Sequence, residues 1–383
     1  MESGFARDQD LHRSLLGQAG GRARLNTPVL VVDLPALDRN IARMAAFAAA
    51  AGLKLRPHAK THKSPDIARR QIAAGAVGQC CAKLGEAEAL AAHGVSAGLL
   101  ITSPVVSAPA VARLAALNLV TDGLMCVVDH PDNARSLGAA ALAAGKPLTV
   151  LIDIDPGLHR TGVTSAEAAV ALFQVIAQTP GLAYAGVQFY CGAHQHIAEL
   201  AERRAAMEER AAYLRTVIAA LTEAGGTPAI VTGGGTGTHR IDATLGVFTE
   251  LQVGSYVFMD RQYLDCEFGL EDPYETALRV DARVVSTNTP GLVTLDAGLK
   301  AFATEAGPPT VLAGAPEGAI YRFMGDEHGA LICKAGGLPG LGSVVTLGTP
   351  HCDPTVNLHD TYHVVDADTL VALWPVAGRG RSR

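Results

Sequence analysis

The chain has 383 residues, a formal net charge of −6 and an apolar fraction of 49%. This length exceeds one ordinary domain and favours a large domain plus a smaller one. The mild charge, without a long basic run, argues against a nucleic-acid surface. No apolar run reaches the length that a bilayer requires, and residues 1–26 are polar, unlike a signal peptide. The seven cysteines contain no C-x-x-C pair. We therefore expect free thiols in a cytoplasmic protein that does not bind membranes.

Strand and helix patterns alternate along the first two thirds of the chain. Runs of branched apolar residues recur, and in the segments between them the apolar residues have helical spacing. This alternation is typical of βαβ units around a parallel sheet. The strand-like runs cover 27–33, 52–55, 77–82, 97–101, 124–129, 148–155, 182–190, 229–231 and 250–253. About eight such units predict a closed (β/α)8 barrel over residues 27–268, and no G-x-G-x-x-G follows the first strand.

The pattern changes after about residue 263. Strand-like segments at 278–285, 292–295, 343–347 and 362–365 are separated by turns rich in Gly, Pro and Asn. We expect an all-β domain over residues 269–383. Residues 1–26 form an N-terminal extension that could pack on this domain.

Residues 56–63, with the sequence RPHAKTHK, lie between a predicted strand and a helix that Ser64 and Pro65 begin. Two lysines and two histidines therefore crowd the carboxyl end of a barrel strand, where barrel enzymes place their chemistry. A basic, solvated loop is the alternative for this stretch alone.

Further polar residues follow later strands. Arg160 lies in a Gly-bounded turn, where it could bind a ligand oxygen or form a structural salt bridge with Asp153 or Asp155. His194 and His196 have a spacing that can bind metal, although such pairs are more often polar loop residues.

A glycine-rich run, residues 232–238 (TGGGTGT), follows the 229–231 strand. Late loops of such barrels often hold a phosphate with backbone N–H groups. The next loop, residues 254–256, would complete this phosphate site. Glycine runs also occur in ordinary turns.

Residues 350–360 contain His351, Cys352 and Asp353 in succession. In an extended segment, residues i and i+2 point the same way, which pairs His351 with Asp353 and turns Cys352 away. Imidazole plus carboxylate suits Mn²⁺, Mg²⁺ or Zn²⁺. A polar turn fixed by two prolines is the alternative. A phosphate site, a strand-end lysine and a metal pair together suggest pyridoxal 5′-phosphate as cofactor.

In this order, the motifs resemble the D-threonine aldolase / D-serine dehydratase family of fold-type III pyridoxal-phosphate enzymes, which share the alanine racemase-like architecture. The resemblance covers nearly the whole chain. It rests on the stretches 56–63, 159–163, 233–237, 250–256, 296–300, 326–329 and 351–355. The chain looks most similar to the 3-hydroxy-D-aspartate aldolases and D-threonine aldolases, because dehydratases usually carry Cys with zinc at the position of Asp353.

The resemblance implies a role for each matching residue. Lys60 would bind the cofactor as a Schiff base, Arg160 would contact its ring oxygen, and Tyr190 would lie near its pyridine nitrogen. His351 and Asp353 would hold the divalent metal, with Mn²⁺ or Mg²⁺ favoured over Zn²⁺. The residues expected around the phosphate are Thr236, Gly237, Gly254, Ser255 and Tyr256.

Three points remain open around this site. His58 and His62 could each either shape the pocket or transfer a proton. His62 is the catalytic candidate, together with Lys60 and His351. Cationic neighbours of Lys60, namely Arg56, His62 or Lys63, could lower its pKa; Lys63 itself is expected as a helix-start or surface charge. Departures from the family pattern at Cys191 and residues 238–240 leave the accepted substrate side chain open.

The implied activity is a lyase reaction, the retro-aldol cleavage of a small β-hydroxy-D-amino acid to glycine and an aldehyde. A D-serine or 3-hydroxyaspartate dehydratase on the same fold is the alternative, and a non-catalytic pyridoxal-phosphate-binding protein is a third. The family also implies a homodimer, in which the β domain of one chain closes the barrel of the other.

Overall fold

A computed structural model describes residues 8–266, 273–334 and 336–383. The chain divides into two compact units. The barrel unit consists of Ala42–Lys60, Pro65–Gly254 and Gly380–Arg383. The β unit consists of the described part of Met1–Ile41, with Thr61–Ser64 and Ser255–Arg379. The predicted boundary between residues 268 and 269 lies outside the described residues.

Strands and α-helices are numbered in chain order over the described residues. The strands are β1 Val29–Asp33, β2 Lys54–Leu55, β3 Gln79–Cys81, β4 Leu99–Ile101, β5 Met125–Val128, β6 Leu148–Asp153, β7 Leu182–Phe189, β8 Ile230–Gly233, β9 Glu250–Leu251, β10 Leu278–Ser286, β11 Leu292–Leu295, β12 Thr310–Ala313, β13 Ile320–Phe323, β14 Gly329–Ile332, β15 Val344–Gly348, β16 Thr361–Asp366 and β17 Thr369–Pro375. The helices are α1 Asp8–His12, α2 Leu34–Ala50, α3 Pro65–Ala73, α4 Leu84–Ala92, α5 Ala108–Val120, α6 Pro131–Ala144, α7 Ala166–Ala177, α8 Leu200–Glu223, α9 His239–Asp242, α10 Arg261–Cys266 and α11 Cys352–Val356. Among them, no helix has both the length and the apolar character that crossing a membrane requires.

Eight parallel strands form the sheet of the barrel unit, in the order β2-β9-β8-β7-β6-β5-β4-β3. Backbone hydrogen bonds join the two ends of this order. The Cys80 N–H donates to the Pro57 oxygen at 2.8 Å, and the Ala59 N–H donates to the Cys80 oxygen at 2.7 Å. The ring is therefore closed, and the predicted (β/α)8 barrel is confirmed.

The barrel strands bury side chains in two layers, because successive strand residues face opposite sides of a sheet. One cluster contains only strand residues in its fully buried part and fills the ring: Cys80, Leu100, Met125, Val127 and Leu151. The other cluster joins the alternate strand residues to the surrounding helices, and includes Cys81, Leu99, Ile101, Cys126, Val128, Leu90, Leu114 and Leu137.

The sheet of the β unit has the order β13-β14-β11-β10-β1-β16-β17, with β15 pairing with β10 and β12. Its described pairs are antiparallel except that β1 runs parallel to β16. This architecture confirms the predicted β domain after the barrel, with one correction. The strand at Val29–Asp33, which the predicted barrel range 27–268 included, lies in this sheet instead.

The N-terminal segment contacts β16 and β17 of the same unit. His12 and His363 share a buried hydrogen bond of 2.7 Å between ring nitrogens. The Gly17 N–H donates to the Leu370 oxygen at 2.9 Å, and Arg22 forms a two-pronged pair with buried Asp281. Polar anchors therefore hold the described part of this segment against the sheet.

Candidate active site

A cavity of about 590 Å³ lies within the barrel unit. Its walls come largely from the loops that follow the strands, at the carboxyl end where barrel enzymes bind their ligands. Its volume is within the usual range for small-molecule and cofactor sites. The lining residues are His58, Lys60, Ala82, Lys83, Thr102, Ser103, Pro104, Val106, Asp129, Arg160, Thr161, Gln188, Tyr190 and Gln252. The structure thus brings together three of the predicted residues, Lys60, Arg160 and Tyr190.

Lys60 lies in this wall beside His58. The Lys60 backbone N–H donates to Nδ1 of His58 at 3.4 Å, so that nitrogen is an acceptor. The proton of the neutral ring is then on Nε2, which donates to Thr102 Oγ1 at 3.2 Å, and Thr102 donates on to the Cys81 oxygen. This chain of hydrogen bonds fixes the His58 ring against the lysine backbone.

Arg56 is not an uncompensated charge near Lys60. It forms two hydrogen bonds with Glu250, at 2.9 and 2.8 Å, and both side chains are almost fully buried. Another nitrogen of Arg56 donates to the Gly98 oxygen. Arg56 was one of three residues that could lower the pKa of Lys60, and its charge is compensated by Glu250.

Two other predicted neighbours of Lys60 belong to the β unit. His62 is fully buried; its Nδ1 accepts the Ser64 N–H at 3.1 Å, and its backbone oxygen accepts the Tyr362 hydroxyl at 2.6 Å. Lys63 is also buried and donates to the Gly378 oxygen at 3.4 Å. Lys63 was expected as a helix-start or surface charge; it lies just before α3 and is not a surface charge.

The turn after β6 holds Arg160 through a buried carboxylate. Asp155 accepts the backbone N–H groups of residues 157, 158 and 159 at 2.8 to 3.0 Å, and its other oxygen contacts the His159 ring. Burial favours the neutral acid, but these hydrogen bonds together lower the pKa of Asp155. Arg160 itself is exposed, with its guanidinium carbon 5.8 Å from the Tyr190 ring centre. Asp155 therefore organises the turn without pairing with Arg160.

A second carboxylate, Asp153, lies under the cavity. It accepts from Thr161 at 2.7 Å and from Gln188 at 2.9 Å, and Gln252 donates to the Gln188 oxygen at 3.1 Å. Burial raises the pKa of Asp153 to about 6; the hydrogen bonds from Thr161 and Gln188 oppose this shift, and the charge of Asp129 adds to it. The cavity floor is therefore a connected polar network.

The glycine loop, defined here as residues 233–238, follows β8. Thr236 and Gly237 lie in this loop, and Gly254 follows β9 in the same unit. The Gly237 N–H, which we expected to face a phosphate, donates to Oε1 of Gln195 at 3.0 Å. Ser255 and Tyr256 are buried in the β unit, where they begin a short 3₁₀ helix.

His351 and Asp353 lie at the start of α11, not in an extended segment as predicted. His351 is the residue before the helix, and Asp353 lies in its first turn. Pro354 does not prevent this because the first turn of a helix tolerates proline. Cys352 is fully buried and contacts Thr349.

The surroundings of these two residues are acidic. Nδ1 of His351 contacts a Glu305 carboxylate oxygen at 2.6 Å, which leaves Nε2 to face a ligand. Asp260 is buried near both residues; burial raises its pKa, the His351 charge lowers it, and the Asp353 charge raises it. Within residues 8–266, 273–334 and 336–383, no group of three or more His, Cys, Asp or Glu side chains is arranged to hold a metal. The pair supplies one imidazole and one carboxylate, which fits a hard divalent ion that keeps several waters.

The side chains that line the barrel cavity fit the chemistry of the pyridoxal cofactor. A lysine side chain, an exposed arginine and a tyrosine ring line one cavity of suitable volume. Sequence reasoning missed most of the remaining lining, including Thr102, Gln188 and Gln252. Their signal was available: each is a polar residue at or just after the end of an apolar strand.

Comparisons with known proteins agree with this geometry. Residues 32–262 match the family model described as the alanine racemase N-terminal domain, and residues 277–365 match a putative serine dehydratase domain. The chain is 40% identical to the D-threonine aldolase of an Arthrobacter species over 362 residues, which is 94% of each chain. It is 38% identical to the 3-hydroxy-D-aspartate aldolase of Paracoccus denitrificans over 94% of this chain and 93% of that one.

Two further relatives complete the comparison. The crystal structure of D-threonine aldolase from Filomicrobium marinum superposes with a TM-score of 0.90 at 38% identity, covering 94% of this chain and 97% of that one. The D-threo-3-hydroxyaspartate dehydratase of a Delftia species is 33% identical over 74% of each chain. The chain therefore belongs to the alanine racemase-like, fold-type III pyridoxal-phosphate family that includes these D-threonine and 3-hydroxy-D-aspartate aldolases.

Proposed function

We propose that the protein is a pyridoxal-phosphate- and metal-dependent lyase. It cleaves a β-hydroxy-D-amino acid of the 3-hydroxy-D-aspartate or D-threonine type to glycine and an aldehyde, such as glyoxylate or acetaldehyde. One observation carries this proposal: a lysine, an arginine and a tyrosine meet in a cavity at the carboxyl end of the barrel in a chain 38–40% identical to such aldolases.

The barrel residues would hold the cofactor, which supplies an electron sink for the Cα of an amino acid. The Lys60 amine would bind it covalently, Arg160 would donate to its ring oxygen, and Tyr190 would border its pyridine nitrogen. Thr236, Gly237, Gly254, Ser255 and Tyr256 would surround its phosphate. The hydrogen bonds of Thr161, Gln188 and Gln252 beneath the cavity would keep these walls fixed.

His351 and Asp353 would hold a divalent cation, Mn²⁺ or Mg²⁺ before Zn²⁺, which supplies Lewis acidity to a hydroxyl group. Glu305 contacts Nδ1 of the imidazole, which would leave Nε2 available to the ion. In this assignment residues 27–268 bind the cofactor and residues 269–383 bind the metal. Lys60 would carry the proton transfers, and His351 would take part in catalysis as a ligand of the ion; buried His62 would have a smaller part, in holding the segment after Lys60.

The products test the proposal directly. The purified protein, supplied with pyridoxal 5′-phosphate and Mn²⁺, is incubated with D-threonine and with 3-hydroxy-D-aspartate, and glycine, aldehyde, ammonia and keto acid are measured. Equal amounts of glycine and aldehyde support the aldolase. Ammonia and keto acid in place of glycine would identify a dehydratase instead, the second candidate, which the 33% identity to the Delftia enzyme supports.

A third outcome is also informative. Binding of the cofactor without any of the four products would favour the non-catalytic alternative. We further propose that the protein works in the cytoplasm as a homodimer on this small-molecule substrate, and light scattering of the purified protein tests the dimer.

A further inference from the structure

We propose that Gln195 is a positioning residue for the glycine loop, and so for the phosphate of the cofactor. Gln195 lies between the two histidines whose spacing suggested a metal site, in the 3₁₀ helix Gly192–His196. Its side chain is almost fully buried. The inference rests on the proposed cofactor site and deepens it.

The orientation of the Gln195 amide follows from its contacts. Oε1 accepts the N–H of Gly237 at 3.0 Å, so the other end of the amide must be the nitrogen. Nε2 donates to Thr238 Oγ1 at 2.9 Å and to the Cys191 oxygen at 3.2 Å. One side chain therefore satisfies two groups of the glycine loop and ties them to its own 3₁₀ helix.

The network continues to a second buried side chain on the far side of the loop. Thr238 donates its hydroxyl proton to Asp242 Oδ2 at 2.6 Å. The Gly235 N–H also bonds to Asp242, whose pKa burial raises to about 7 against these hydrogen bonds. Gln195 and Asp242 thus fix the N–H groups at 237 and 235. The loop has a set conformation before any phosphate arrives.

Close contact with Gln195 also explains why two loop positions are glycine. A Cβ at Gly235 would lie 2.3 Å from Oε1 of Gln195, and its three nearest atoms all belong to that side chain. A Cβ at Gly237 would lie 2.0 Å from the backbone oxygen of Gln195. Replacing the Gln195 side chain would relieve the first contact. The second contact is with the backbone and would remain.

The experiment compares pyridoxal 5′-phosphate with pyridoxal, which lacks the phosphate, by absorbance titration of the full chain. Gln195→Ala is expected to weaken the affinity for pyridoxal 5′-phosphate about tenfold, because the glycine loop loses the hydrogen bonds from Gln195 to Gly237 and Thr238 that hold its conformation. The affinity for pyridoxal should change less than twofold. Gln174→Ala, the same change at an exposed position of α7, should leave both affinities unchanged.

Three results would overturn the proposal or a part of it. An unchanged affinity of Gln195→Ala for the phosphorylated form, or an equal loss for both forms, overturns the positioning role. A wild-type chain that binds neither form overturns the cofactor site itself, which separates the two failures. Should Gln195→Ala fold poorly by circular dichroism, Gln195→Met replaces it: the side chain keeps a similar volume but loses both the acceptor for Gly237 and the donor to Thr238, and the selective loss of the phosphorylated form must persist.

A double mutant tests the contact without relying on stability. Gly235→Ala should lower the affinity for pyridoxal 5′-phosphate more than tenfold, and adding Gln195→Ala should restore it to the level of Gln195→Ala alone. Gly237→Ala should not be rescued in this way, because its clash is with the backbone. Equal rescue at both positions, or none at either, would contradict the packing of Gln195 against the loop.

Discussion

The barrel cavity and the segment around His351 differ in how much of a ligand site the protein itself supplies. In the barrel, side chains from several strand ends converge, and hydrogen bonds between Asp153, Gln188 and Gln252 already fix the floor. At His351, two potential metal ligands, His351 and Asp353, lie at the start of one short helix, and the Glu305 carboxylate orients the imidazole. The proposed cofactor site is therefore fixed by hydrogen bonds within the protein. The proposed metal pair would supply only two ligands, so an ion bound there would take its remaining ligands from water or from the substrate.

The largest expected effect comes from removing the lysine of the barrel cavity. Lys60→Ala should abolish the visible absorbance of the bound cofactor and lower kcat/KM for aldehyde release by more than about a thousandfold, because the covalent attachment is lost. Lys83→Ala, the other lysine of the cavity, is the matched control and should keep the absorbance band. Persistence of the band in Lys60→Ala would remove Lys60 from its assigned role.

The second region is tested by removing the ion. Chelation, or the His351→Ala change, should lower aldehyde release by about a hundredfold or more, as loss of a Lewis acid does, while the visible band of the cofactor remains. Restoring Mn²⁺ or Mg²⁺ should recover activity in the chelated wild type and not in His351→Ala. If chelation also removed the cofactor, binding at the barrel cavity would depend on the ion at His351, which would contradict the comparison of two separate sites.

The barrel unit contains a buried ion pair between Arg56 and Glu250. Glu250→Gln leaves the buried Arg56 charge uncompensated and should lower the free energy of unfolding by about 3 to 5 kcal/mol in urea titrations. Glu88→Gln breaks a far more exposed pair with Arg113, and should cost less than about 1 kcal/mol. Equal losses for the two variants would contradict the structural importance of the buried pair.

The smallest effect concerns the pH dependence of the cavity floor. The folded-state pKa of Asp153, about 6, exceeds the ordinary value of 3.8, so the folded chain holds this proton more tightly than the unfolded chain. The resulting stability is present at low pH and is lost as pH rises through 6, by at most about 3 kcal/mol. Asp153→Asn should remove this loss in urea titrations between pH 4 and 8. Asp132→Asn, at an exposed position, should retain it.

Much of the architecture could be predicted because the relevant signals are local. Apolar runs with helical spacing between them gave the eight barrel strands, and a lysine at a strand end marked the cavity. The position of β1 could not be predicted in this way. It is a branched apolar strand like those of the barrel, and its two partners, β10 and β16, both begin more than two hundred residues later in the chain.

The remaining errors have physical causes as well. The pairing of His351 with Asp353 assumed an extended segment, but Asp353 and Pro354 lie in the first turn of α11, where the missing N–H of proline has no consequence. The charge of Arg56 appeared available to Lys60 because its partner, Glu250, is far away in sequence. Gln195 lies between His194 and His196, whose spacing suggested a metal site, so its contact with the glycine loop was not predicted.

The closure of the barrel gives Lys60 a further significance. The lysine follows the segment where β2 pairs with β9, through Lys54 and Glu250, and where His58 bridges to Cys80. Contacts so distant in sequence form late in folding, since a long chain must first be brought together. A nascent chain that has not yet reached Glu250 therefore contains the lysine but no closed ring around it. If Lys60 binds the cofactor as proposed, the absorbance band of the bound cofactor should appear during refolding no earlier than closure of the barrel.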